Sequence, residues 1–175
     1  MQKFKMIKTN IPVLFMREGD VFVCYTPAFD LAAHGDTFED AKKSFEVTFK
    51  LFMREVTHMG TWSKVLKEYG WKKINKTFIP PQLIGQETRH IEIPVFAWEM
   101  AGLRPIHYRK FEKFLIYVGC TYVRQEGDHK VYRRSGLIRP VIVRTKKDLP
   151  IIEIKSNLRT LGISTEEYLE IIQKL

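Results

Sequence analysis

The sequence predicts an α+β protein made of two small units, residues 1–100 and 101–175. Three observations lead there. Each half groups strand-forming segments beside amphipathic helical stripes, the pattern of helices packed on antiparallel sheets. A length of 175 residues has room for one ordinary domain or two compact ones. The charge is divided unevenly: residues 1–100 carry 14 Lys plus Arg against 12 Asp plus Glu, a net of +2, whereas residues 101–175 carry 15 against 8, a net of +7.

Composition excludes several classes. With 45% hydrophobic and 13% aromatic residues the chain can bury real cores, so it is not a disordered tail. The longest apolar run, Phe114 to Val118, is far shorter than the roughly 20 residues that span a bilayer. The segment from Met1 to Lys8 alternates polar and apolar residues and lacks the apolar centre of a signal peptide, so a cytoplasmic protein is expected. Cys24 and Cys120 form no CxxC or Cys/His cluster; both read as small buried hydrophobes, and no metal or other cofactor is expected.

The first unit opens as a hairpin, with an alternating segment around Phe4–Phe15, a turn at Glu18-Gly19-Asp20, and Val21 to Tyr25 rich in strand formers. A loop follows through Pro27 and Gly35. Thr37-Phe38-Glu39-Asp40 then reads as a capping box, so the acidic cluster Asp36, Glu39 and Asp40 is assigned to capping and helix-dipole effects. Phe38, Ala41, Phe45, Phe49, Phe52 and Val56 recur at spacings of three and four and form a core stripe. A helical pattern around Trp62 to Tyr69 stops at Gly70. Pro80-Pro81 breaks the chain, Arg89 to Val95 has the look of a strand, and a boundary is placed near 100–106, with Phe96 and Trp98 packing between the units.

The second unit reads helix, three strands, helix. Tyr108, Phe111, Leu115 and Val118 form a stripe ending at Gly119. Strand-like segments follow at Cys120–Gln125, His129–Arg134 and Ile138–Thr145. Ile154, Leu158 and Leu161 then return to helical spacing before Gly162, and Ser164 to Glu167 is a second capping box. This α-β-β-β-α order is the layout of a double-stranded-RNA-binding-like domain.

The positive charge concentrates on that unit. Arg124, Lys130, Arg133, Arg134, Arg139, Arg144, Lys146 and Lys147 lie within 24 residues, interleaved with Tyr122 and Tyr132. Such a basic, aromatic-bearing sheet is either a footprint for RNA or a solvated face. The candidate RNA contacts are Arg124, Lys130, Tyr132, Arg133, Arg134 and Arg144. His129 follows Gly127-Asp128 and opens the middle strand. A neutral imidazole can take the proton from a ribose 2′-hydroxyl without a metal, while nearby guanidinium groups hold the phosphate. Taken alone, a histidine on a strand is equally a structural residue. His34, His58, His90 and His107 sit in unrelated contexts, and Ser156 and Ser164 read as capping residues.

These residues carry a resemblance. From Tyr108 to Leu175 the chain resembles the HicA-type toxins, the ribonuclease partners of toxin–antitoxin pairs. It does so through the helix ending at Gly119, Val123 to His129 ahead of Tyr132-Arg133, the strand Pro140 to Val143, and Leu158 to Ser164. The family's Gly-Ser-His element places its catalytic histidine on His129, with Asp128 where serine is usual. Arg144 to Lys147 stands where the family often has a second histidine, and Ile154 to Asn157 replaces its Lys-Pro-Gly-Thr run.

The first unit resembles the HicB-type antitoxins, whose fold is a partial ribonuclease-H-like sheet with helices. Asp20 to Pro27, the Leu31–His34 loop and Gly35 to Ala41 carry the likeness, with Phe29 to His34 replacing the family's Leu-Pro-Gly-Cys loop. Together the resemblances imply a fused chain: an mRNA-cleaving unit with His129 as general base, an intramolecular HicB–HicA contact that restrains it, no membrane partner, and self-association as an open possibility. Two other readings stay open: a non-catalytic RNA-binding module, and a first unit that captures a separate toxin.

Overall fold

The computed structural model describes residues 8–75, 77–92 and 102–175. Those residues form a mixed α+β structure of small antiparallel sheets and five helices. Strands β1 (Leu14–Glu18) and β2 (Val21–Thr26) make the expected hairpin, turning at Gly19 with φ 58°. It is shorter than predicted: residues 8–13 are not strand, and residues 1–7 lie outside the described set.

The Leu31–His34 segment, expected as a loop, is instead strand β3 (Leu31–Gly35), antiparallel to β2 and buried along its whole length. Ala32 and Ala33 have little strand propensity of their own; burial between neighbouring elements decides their conformation. Asp30, in the left-handed region at φ 46°, reverses the chain ahead of it.

Helix α1 (Phe38–Met59) starts where the capping box puts it, Thr37 Oγ1 accepting from the Asp40 amide at 3.1 Å. Ala41, Phe45, Phe52 and Val56 are buried, whereas Phe38 at the helix start is exposed. Gly35 lies so close to this helix that an added Cβ would sit 2.2 Å from the Ala41 nitrogen and 2.5 Å from the Asp40 carbonyl carbon. Both are backbone atoms and cannot step aside. Gly35→Ala is therefore expected to cost about 3 kcal/mol by forced overpacking; an unchanged urea midpoint would show that the helix can retreat freely.

Helix α2 (Trp62–Glu68) and a short hairpin, β4 (Lys72–Ile74) with β5 (Thr77–Ile79), complete the first half. The strand expected at Arg89–Val95 is absent over residues 89–92, which have no regular structure. Residues 93–95, Phe96 and Trp98 lie outside the described set.

The second half runs β6 (Ile106–His107), α3 (Tyr108–Tyr117), β7 (Thr121–Glu126), β8 (His129–Arg133), β9 (Val141–Arg144), β10 (Asp148–Leu149), α4 (Ile151–Leu161) and α5 (Thr165–Gln173). β7, β8 and β9 form one antiparallel sheet in that order, and β6 pairs with β10. Gly119 and Gly162 follow their helices at φ 84° and 66°, and Ser164 Oγ accepts from the Glu167 amide at 3.1 Å. Ser156 is not a cap: it is buried within α4 and donates to the Asp30 carbonyl at 2.5 Å.

The sheet has two covered faces. On one, Tyr132, Val141 and Val143 pack against Phe111, Phe114, Ile154, Leu158 and Tyr168, all from the second half. On the other, Val131 and Ile142 join Phe29, Leu51, Phe52 and Trp71 from the first half. The halves thus share a core. The Glu18 carboxylate of β1 extends the join, accepting from the free Ile151 and Ile152 amides at the start of α4, at 2.5 and 3.2 Å.

Candidate active site

The two faces of the sheet sort the candidate residues. Side chains alternate along a strand, so His129, Val131 and Arg133 of β8 point toward α1, while Lys130 and Tyr132 point toward α3. β9 sets Arg144 directly opposite His129 in the ladder. On β7 a register shift between Tyr122 and Arg124 breaks the alternation and turns Arg124 to the α1 side. One face therefore collects His129, Arg124, Arg133 and Arg144.

His129 is only 2% exposed. Its Nε2 lies 3.0 Å from Ser44 Oγ of α1, and its Nδ1 lies 2.9 Å from Asp128 Oδ1, a close approach that is not an aligned hydrogen bond. With the proton on Nδ1 facing Asp128, Nε2 accepts from the Ser44 hydroxyl, the tautomer a general base needs. Burial, reinforced by the Arg144 charge against the pull of Asp128, lowers the imidazole's pKa and keeps it neutral.

Arg144 is buried in a carboxylate cage. It donates through Nε to Asp128 Oδ2 at 2.9 Å, through Nη1 to Asp40 Oδ2 at 3.0 Å and the His34 carbonyl at 2.6 Å, and through Nη2 to Asp40 Oδ1 at 2.9 Å. The bidentate guanidinium pulls the Asp40 pKa down to about 2. Burial pushes the Asp128 carboxyl upward, but the Arg144 hydrogen bond and charge outweigh it and leave its pKa lowered. Farther along α1, Glu55 is fully buried and pairs with both Arg124 and Arg133.

Three expected contacts lie elsewhere. Lys130 Nζ is 2.7 Å from Glu112 of α3, and Tyr132, a core residue and not an exposed stacking ring, donates its hydroxyl to the same carboxylate at 2.6 Å. Arg134 donates to the Val118 and Leu161 carbonyls at 3.2 and 2.5 Å, closing the ends of α3 and α4. Cys24 and Cys120 are buried, as the sequence suggests, and desolvation pushes the Cys24 thiol up to about 11.

Residues 108–163, from the start of α3 through α4 and carrying this whole arginine and histidine face, match the family model described as HicA toxin of bacterial toxin–antitoxin. The chain carries a HicA toxin domain. The match does not reach the first half of the chain, and no curated protein and no solved structure matches.

What closes on the HicA domain was not read from the sequence. Asp40, Ser44, Thr48 and Glu55 all fall within about 80° of one another around α1, at 3.6 residues per turn. They make a polar stripe beside the phenylalanine stripe. Asp40 does more than cap: it holds Arg144 across the join.

His34 is buried, with Nδ1 2.7 Å from Glu153 of the HicA domain and Nε2 3.2 Å from the Lys146 carbonyl. Burial opposes its charge, but Glu153 and that carbonyl prevail and raise its pKa, so both N–H groups donate.

The two histidines set opposite pH dependences. The lowered pKa of His129 means that the unfolded chain binds the extra proton below about 6.5, so stability falls as pH drops through that region. The raised pKa of His34 stabilises fully below about 6.5 and is lost as pH climbs through its folded value. Urea midpoints of the wild type are expected to fall on the alkaline side, and His34→Gln to flatten that limb. An identical slope in the two chains would contradict the assignment.

Over the Ser44–His129 pair lies an open cleft of about 380 Å³, with Lys43 and Lys146 at its edge. Among the described residues no helix is long and apolar enough to cross a membrane.

Proposed function

We propose that the HicA domain is an mRNA-cleaving unit of the mRNA-interferase type, in which His129 is the general base and the first half of the chain acts as a built-in, HicB-like antitoxin. The observation that carries this reading is the hydrogen bond between His129 Nε2 and Ser44, because the atom that would take a proton from RNA is held by a hydroxyl from α1. The α3-β7-β8-β9-α4 order supports a double-stranded-RNA-binding-like domain, and β1-β2-β3 with α1 supports a partial ribonuclease-H-like partner.

In the open state, His129 Nε2 takes the proton of a ribose 2′-hydroxyl and the 2′-oxygen attacks the adjacent phosphorus. The bond to the 5′-oxygen breaks, and the leaving oxygen takes a proton back from the imidazolium or from water. The products are a 2′,3′-cyclic phosphate and a 5′-hydroxyl. Asp128 orients the imidazole and steadies its charged form. Arg144, the cross-strand neighbour of His129, faces the charge that builds on the phosphate.

The test uses labelled single-stranded RNA in excess chelator. The intact chain is expected to cut slowly, with cyclic phosphate ends, and His129→Ala to stop it. No cleavage by the intact chain or by a chain opened between α1 and the sheet would refute the nuclease reading.

A further inference from the structure

We propose that Arg124 and Arg133 form a second phosphate subsite of the HicA domain, remote from the bond being cut and occupied in the closed chain by the Glu55 carboxylate. The proposal rests on the RNA reading above and adds where the strand runs and how long it must be.

A fully buried carboxylate is costly unless strongly paired, and Glu55 is paired by two arginines from neighbouring strands. Guanidinium forks that match a carboxylate also match phosphate oxygens. Arg124 reaches this place only because the irregularity in β7 turns it out of its ordinary alternation, onto the face of Arg133 and His129. Lys130, which points away from that face, is held by Glu112 on the α3 side.

Spacing separates the subsite from the chemistry. Arg144 is the ladder partner of His129, whereas Arg133 lies four residues farther along β8, about 13 Å at the rise of a strand. A phosphate at Arg144 is therefore beside the reacting 2′-oxygen, and one at Arg124 and Arg133 belongs to a different nucleotide. In the closed chain, α1 supplies Asp40 to the first place, Ser44 to His129 and Glu55 to the second. A dinucleotide fills only the first; a longer strand fills both.

The test is binding of 2′-O-methyl RNA, which has no free 2′-hydroxyl and cannot be cut, so its outcome is independent of nuclease activity. In the full chain, Glu55→Gln is expected to tighten binding of an octanucleotide about tenfold, the worth of one charge-assisted contact. A dinucleotide should tighten much less, gaining only what the weaker closure of α1 releases at the first place. Adding Arg124→Gln and Arg133→Gln should remove the gain and flatten the salt dependence. Equal tightening for both lengths, or a gain that survives loss of the arginines, overturns the subsite while leaving the nuclease reading standing. If Glu55→Gln does not fold, amide exchange in the wild type decides: the octanucleotide should speed exchange over Leu51–Val56 by displacing Glu55, and unchanged exchange counts against the proposal.

Discussion

Asp40→Lys combined with Glu55→Lys is expected to raise RNA cleavage by the full chain about 100-fold. The two carboxylates hold three arginines of the HicA domain, so reversing both replaces attraction by repulsion at each end of α1. A closed state that leaves about 1% of molecules open has that much activity in reserve. The second half keeps its own core, built from α3, α4, α5 and the far side of the sheet, so the opened chain is expected to retain the folded face that carries His129. His129→Ala in the opened chain should then reduce cleavage about 1000-fold, within the range for loss of a general base. Ser44→Ala alone removes one hydrogen bond, about 1 kcal/mol, and should release activity only several-fold. A rate unchanged by the double reversal, in a chain whose far-ultraviolet circular dichroism is intact, would mean that α1 does not govern access.

Arg139→Ala is expected to give the largest loss of stability, about 4 kcal/mol, as when one partner of a buried ion pair is removed. The sequence places Arg139 in the basic run from Arg124 to Lys147, but it is buried and serves as a clasp. Nη1 donates to the Phe29 and Asp30 carbonyls at 2.6 and 3.1 Å, Nη2 lies 3.3 Å from Asp30 Oδ2, and the guanidinium sits 5.0 Å from the centre of the Tyr69 ring. Its loss strands the Phe29 carbonyl of the turn that leads into β3, leaves the Asp30 carbonyl to Ser156, and weakens the hold on the Asp30 carboxylate, which Arg159 and Tyr25 also contact. A lysine cannot reproduce a fork that reaches two carbonyls and a carboxylate, so Arg139→Lys should recover little. Urea denaturation measures both; a loss below about 1 kcal/mol for Arg139→Ala would show the turn to be held by other contacts.

Much of the local structure was legible because it follows from local chemistry. Thr37, Ser164, Gly119 and Gly162 mark helix ends through capping and backbone freedom, and they do so at the expected positions. Strand β3 was not legible, because Ala32 and Ala33 take their conformation from what covers them. His129 was singled out by its place after Gly127-Asp128 and given a catalytic role by the family resemblance, but its surroundings depend on contacts between residues far apart in sequence, such as Ser44 with His129 and His34 with Glu153. Strand alternation separates Lys130 and Tyr132 from His129 and could have been applied in advance. The irregularity that brings Arg124 to the face of His129 could not, because it is a matter of pairing between β7 and β8. The polar stripe of α1 was present in the spacing but hidden beside a stronger aromatic stripe.

His129, the general base proposed for the HicA domain, is ready but covered by the chain's own first half. Nitrogen NMR of the His129 imidazole tests this most directly. In the intact chain the account predicts a proton on Nδ1, a bare Nε2 and a titration midpoint below the ordinary value near 6.5. In the Asp40→Lys, Glu55→Lys chain the midpoint should rise toward that value as water reaches the ring. A midpoint at or above 6.5 in the intact chain, unmoved by opening, would contradict the account.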